Sequence, residues 1–293
     1  MQKKLLISII SCFLVSFLVR SQTVEQTIAW GKQQMALGQY NNALKAFKRV
    51  SFFRKDEQKV DLPELMAVCL EKTGAFAEAL KLYDYSIEIN SVPAGIIDLK
   101  LKKANLLIEM EQYDLSLLVL LNLPAGATTD QYLVKEYLLG INYFKKGYFP
   151  ESAMHFSHLF QNENKLLELD KLFEENYRIL RRYNPQKAIF LNLILPGAGY
   201  LYAGKTGQAA KSVALTGGAV ALFGVTAKYE SFTDGIIAIL PWFQKTYIGG
   251  ISGVGEAVNN RIEEAQTSIY SKIINLTEPK VERFFVSSGI TLH

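Results

Sequence analysis

Apolar residues along this chain fall into three regimes. An apolar run, interrupted only by Ser8, Ser11 and Ser16, occupies Leu5 to Val19, directly after Lys3-Lys4. From about residue 23 to 185 apolar and polar positions alternate at helical spacing, broken at regular intervals by short polar turns. Beyond Pro185 charge thins out: Ala188–Ala203 is nearly uncharged, Ala209–Ala227 holds Lys211 as its one charge, and Gly235–Val258 is apolar apart from Gln244, Lys245 and Glu256. The pattern predicts an all-α protein in which a water-soluble helical array precedes a region that prefers hydrocarbon.

The middle regime repeats itself. Four segments share one template: Leu37-Gly38-Gln39-Tyr40 through Phe47, Thr73-Gly74-Ala75-Phe76 through Tyr83, Met110-Glu111-Gln112-Tyr113 through Leu120, and Lys146-Gly147-Tyr148-Phe149 through Phe156. Each has a turn residue, an aromatic two positions later, a small Ala or Ser three after that, and a large apolar residue four further on. The turn positions 38, 74, 111 and 147 are separated by 36, 37 and 36 residues. Glycine at three of them permits the positive φ needed between two helices, and the small residue lets helix axes approach closely. Since one such unit cannot bury its own apolar face, the units must stack. Lys165–Tyr183, with Leu166, Leu169, Leu172, Phe173 and Tyr177, reads as a terminal capping helix.

These residues resemble the tetratricopeptide repeat, a helix-turn-helix unit of about 34 residues. The resemblance implies a right-handed solenoid whose concave face takes a protein or peptide partner, with Gln33, Asn105 and Asn142 on the first helices as expected partner-binding residues. The two or three extra residues per repeat are expected in turns such as Lys55-Asp56-Glu57 and Ala125–Thr129.

In the third regime Ala209–Ala227 is 19 residues long, enough to cross a bilayer core of about 30 Å. Ala188–Ala203, broken by Pro196, is expected to be a kinked or re-entrant span, while Pro241 and Gln244-Lys245 count against a third. Pro196-Gly197-Ala198-Gly199-Tyr200-Leu201-Tyr202-Ala203-Gly204 is similar to the P-G-x-G-x-x-Y-x-G signature of small bacterial membrane hairpins, including the two-transmembrane family. That resemblance implies a helical hairpin in lipid and no chemistry.

Lys3-Lys4 with the run to Val19 has the layout of a secretory signal peptide cut after Ser21 or Gln22. The expected division is a signal peptide at 1–22, repeats at 23–185, a membrane-associated hairpin region at 186–260 with lipid contact over 188–258, and a polar tail at 261–293. The expected location is a bacterial inner membrane with periplasmic repeats. Arg181, Arg182 and Lys187 then lie outside, against the usual positive-inside bias, which a long exported domain overrides. A net charge of +4 without an aromatic-interleaved basic patch argues against nucleic acid as a partner. Without the leader, Cys69 is the one cysteine, so it can form no internal disulfide and is expected to be a buried small hydrophobe.

One motif points toward an enzyme. Gly199–Thr206 satisfies the phosphate-loop pattern G-x-x-x-x-G-K-[ST], so a nucleotide-binding protein is the alternative reading. Bulky Tyr200, Leu201 and Tyr202 in the loop, and no later strand ending in an Asp, argue against it. His155 and His158 are spaced to share a metal but have no accompanying cluster in the sequence, and no catalytic, cofactor or metal residue is expected. A small-molecule substrate is not expected either. The sequence therefore reads as an exported, membrane-anchored adaptor for a protein partner.

Overall fold

The computed structural model describes residues 23–53, 61–244 and 249–287. The expected signal peptide and the Lys55–Glu57 turn lie outside these residues. Every element among the described residues is helical, and none is a strand. The chain divides into two compact units, one of residues 1–148 with 280–293 and one of residues 149–279.

In the first unit seven helices follow one another: α1 (Val24–Ala36), α2 (Tyr40–Phe53), α3 (Asp61–Lys72), α4 (Phe76–Ile89), α5 (Pro93–Glu109), α6 (Tyr113–Leu121) and α7 (Thr129–Lys145). Each packs on its successor, and α5 also packs on α7. The sequence template accounts for this order. Gly38, Gly74 and Gly147 adopt φ of 72°, 79° and 80°. Each donates its N–H to the carbonyl three residues back, and the next residue donates to the carbonyl five back: Gly38 to Met35 and Gln39 to Gln34, Gly74 to Glu71 and Ala75 to Leu70, Gly147 to Phe144 and Tyr148 to Tyr143. This Schellman geometry satisfies carbonyls that the helix end would otherwise leave unpaired. Five residues after each turn position stands a small, fully buried side chain, and nine after it a large one. The small set is Ala43, Ala79, Ser116 and Ser152; the large set is Phe47, Tyr83, Leu120 and Phe156. Where α1 crosses α2, a Cβ on Gly31 would meet the Phe47 ring at 2.5 Å, so that crossing admits no side chain.

The third turn uses the same hydrogen bonds with a residue that pays for them. Glu111 has φ 58° and donates to Ile108, while Gln112 donates to Leu107. A left-handed conformation costs a residue with a Cβ roughly 1–2 kcal/mol. Glu111→Gly removes that strain, but glycine loses about 0.5–1 kcal/mol more backbone entropy on folding. The expected net gain is about 0.5–1 kcal/mol, read as a raised urea midpoint at unchanged slope.

The last described helix of the chain, α15 (Glu282–Ser287), belongs to this same unit and packs on α7. Val281 and Phe285 are buried there, with the Phe285 ring 6.4 Å from that of Tyr137 in edge-to-face contact.

The second unit begins with α8 (Phe149–Ser157) and α9 (Glu163–Arg182). Then come α10 (Pro185–Ile194), α11 (Ala198–Tyr202), α12 (Thr206–Tyr229), α13 (Phe232–Phe243) and α14 (Gly249–Thr277). The long α14 is the spine on which α9, α10 and α11 pack. Its stripe Val254, Val258, Ile262, Ile269 and Ile273 faces inward at helical spacing. Residues 261–277, expected as a polar tail, are thus the continuation of a packed helix. In α9 the buried residues are Leu169, Phe173 and Asn176.

Candidate functional site

Pro196–Gly204 does not lie in a spanning helix. Pro196 and Gly197 break the apolar stretch into α10 and α11, ten and five residues long, neither able to cross a bilayer. The kinked or re-entrant stretch expected over 188–203 is a tight helical elbow, with Ala188, Asn192, Gly199 and Ala203 buried and Phe190, Leu193, Ile194, Leu195 and Leu201 exposed. Gly197 sits at φ 91° and donates its N–H to Asn192 Oδ1 at 2.8 Å. A Cβ on Gly199 would stand 2.4 Å from the Ala188 carbonyl oxygen and 2.6 Å from Val254. The Tyr200 hydroxyl donates to the Gly250 carbonyl at 3.4 Å, and a Cβ on Gly253 would lie 2.5 Å from that hydroxyl. Gly199 therefore lets α11 approach the backbone of α10 and admits the Val254 side chain of α14, while Gly253 makes room for the Tyr200 hydroxyl.

Tyr202 performs a different task. Its hydroxyl donates to the Arg182 carbonyl at the end of α9 and accepts from the Asn184 N–H at 3.1 Å. Its ring stacks edge-on against Tyr183 at 6.1 Å. One side chain thereby closes the junction between α9 and α10. Tyr202→Phe is expected to cost about 1–2 kcal/mol, the worth of two partly exposed hydrogen bonds. Loss of exchange protection at Asn184 and its neighbours, with the rest of α9 unchanged, would report it.

The same elbow disposes of the phosphate cradle. The amides of Leu201, Ala203, Gly204 and Lys205 donate to the carbonyls of Gly197, Gly199, Leu201 and Tyr200. Gly204, at φ 75°, is a fifth copy of the repeat turn, and five residues on stands buried Ala209. What matched G-K-[ST] is a helix C-cap followed by the start of the next helix. Lys205 points to Glu264, with Nζ 3.7 Å from the carboxylate.

From this footing rise α12 and α13. α12 has 24 residues, about 36 Å of rise, and in its most apolar window 6% of residues are buried. It is the one helix among the described residues long and apolar enough to cross a membrane. α13 folds back along it, with Phe232 against Phe223 at 5.6 Å and Gly235 admitting the Phe223 ring. The rest of the hairpin's apolar surface is bare: Val213, Val220, Leu222, Val225, Ile236, Ile237 and Leu240 are all exposed. A contiguous apolar surface of this kind marks an interaction face rather than a solvated one.

The residues expected to bind a partner are not brought together. Gln33 is exposed on α1. Asn105 is buried on α5 and donates to Glu109 at 3.2 Å. Asn142 is fully buried on α7, donating to Ser116 Oγ at 3.1 Å and to the Leu138 carbonyl. Asn142 thus fastens α6 to α7. His155 and His158 face each other edge-on with ring centres 6.1 Å apart. Cys69 is fully buried, and desolvation pushes its thiol up to about 11, which makes it inert. Sequence reasoning missed Glu71, whose buried carboxylate accepts from the Tyr83 hydroxyl at 2.8 Å inside the first unit's core.

Set against family models, curated proteins and solved structures, the chain finds no match in any of the three.

Proposed function

We propose that this protein is an exported, membrane-anchored adaptor. A tetratricopeptide-like array holds a protein partner, and the α12–α13 hairpin fixes that array at the bacterial inner membrane. The observation that carries the reading is the hairpin: a 24-residue apolar helix, covered on one face only by a second apolar helix folded on it, with 6% of its most apolar window buried. In water such a surface is a liability, whereas in hydrocarbon it costs nothing.

The helical pairs support the other half of the proposal. Their turns recur at 36 to 37 residues with identical capping, as stacked repeats require, and stacked repeats offer extended surfaces for protein segments. Gln33 is the expected binding residue that stands free on the surface, so it is the place to look. A photo-crosslinking side chain at Gln33 in the full-length chain, in its native membrane, is expected to give a discrete protein adduct. Absence of any adduct there and at the neighbouring exposed Lys32 would remove the adaptor reading. Nucleotide binding forms no part of it, because the amides of residues 201 and 203–205 that would cradle a phosphate are spent within the elbow.

A further inference from the structure

We infer that the chain crosses the bilayer twice, as one hairpin, so that the repeats and the C-terminal helix α15 share a compartment and the Lys228–Asp234 tip faces the other. The inference rests on the proposed membrane reading and adds a sidedness to it.

The first ground is topological. α15 is part of the repeat unit, its Phe285 buried beside Tyr137 of α7. Two elements that share a core cannot lie on opposite faces of a membrane. The chain leaves this unit at Tyr148 and re-enters it at Lys280, so whatever crossings occur between must be even in number. α12 alone would make one.

The second ground identifies the return. α14 is excluded, because its face is packed on α9, α10 and α11, and it carries Asn259, Asn260, Arg261, Glu263 and Glu264 in succession. That leaves the stretch from α13 to the start of α14. α13, whose Phe232, Ile236, Ile237 and Leu240 are exposed, folds back along α12 for about 18 Å of rise, and the chain from Phe243 to Gly249 has the reach to complete the return. Lys211 and Lys228 stand 17 residues apart on α12, about 26 Å of helix, which fits a bilayer core when both ammonium groups snorkel outward.

The third ground is where the hairpin starts and finishes. A Cβ on Gly197 would meet the Ala209 carbonyl of α12 at 2.8 Å, and one on Gly199 would meet Val254 of α14 at 2.6 Å. The return end stands there too, since the Tyr200 hydroxyl of the elbow donates to the Gly250 carbonyl at the start of α14. At the far end Lys228, Glu230 and Asp234 are exposed, and the half-buried Ser231 caps α13 by accepting from the Asp234 amide at 3.2 Å. Such charged groups are costly in hydrocarbon and belong in the water beyond it.

Single cysteines at Lys48, Glu230 and Glu282 in the full-length chain, probed in sealed membranes with an impermeant maleimide, test this against the parental background. Lys48→Cys and Glu282→Cys are expected to label from the same side. Glu230→Cys is expected to lose all labelling from that side until the membrane is permeabilised. Labelling of Lys48→Cys and Glu282→Cys from opposite sides would overturn the inference. So would labelling of all three from one side in a chain that still resists alkaline carbonate. Release of the chain by carbonate would instead bring down the membrane reading, and this inference with it.

Discussion

Gly199→Val is expected to destabilise the second unit by about 3 kcal/mol, at the upper end of what overpacking costs. The reason is the neighbour. A Cβ there would stand 2.4 Å from the Ala188 carbonyl oxygen, which is backbone and cannot swing aside, with Val254 at 2.6 Å and Asn192 at 2.9 Å behind it. Gly204 provides the control. Its φ is 75° but a Cβ would meet nothing within 4 Å, so Gly204→Ala pays the left-handed penalty alone, about 1–2 kcal/mol. Hydrogen exchange across α10, α11 and the start of α14 is the measurement. Equal protection loss in the two variants would mean that the elbow is not close-packed and that its glycines serve conformation only.

Glu71→Gln is expected to flatten the pH dependence of the repeat unit. Burial raises the Glu71 carboxyl to about 7, a rise that the Tyr83 hydrogen bond opposes without reversing. Below pH 4.5 both folded and unfolded chains hold the proton, so the group contributes no pH dependence. Between about 4.5 and 7 the unfolded chain releases it while the folded chain keeps it, and stability falls as pH rises. Above 7 the loss is complete, on the order of 3 kcal/mol. The amide cannot ionise and its oxygen can still accept from Tyr83, so urea unfolding of the variant should show little slope from pH 5 to 8 where the parent weakens steadily. A parent whose stability rises over that interval would refute the assignment. Lys72 and Lys102 pull the carboxyl down less than burial raises it, and its Oε1 has no hydrogen-bond partner among the described residues.

What could be read from the sequence was whatever is local and repeated. A turn residue, a small residue five on and a large one nine on specify a helical hairpin almost independently of context, and all four copies bury those positions. The template marked Glu111 as a departure from glycine, yet the structure keeps the turn and bends the residue to it, because the flanking helices hold the Schellman bonds in place. Apolarity was less informative. Ala188–Ala203 and Ala209–Ala227 look alike in composition, but Pro196 and Gly197 break the first into two short helices while the second runs on as one long helix. The stretch after residue 260 looked polar because its charges outnumber Ile262, Ile269 and Ile273, whose spacing is what matters on a helix. Asn142 stands on the first helix of its pair, where a partner-binding residue is expected, yet it is fully buried. Its amide N–H groups are met by the Ser116 hydroxyl and the Leu138 carbonyl, neither of which is visible in a one-dimensional pattern, while its buried Oδ1 has no partner among the described residues.

The claim on which the rest depends is that the hairpin of α12 and α13 anchors an otherwise water-soluble helical protein. Alkaline carbonate extraction of membranes carrying either the full-length chain or one lacking residues 206–243 tests it most directly. The full-length chain is expected to stay in the membrane pellet, and the shortened chain to appear in the supernatant with its helical circular dichroism intact. Release of the full-length chain, or retention of the shortened one, would contradict the account.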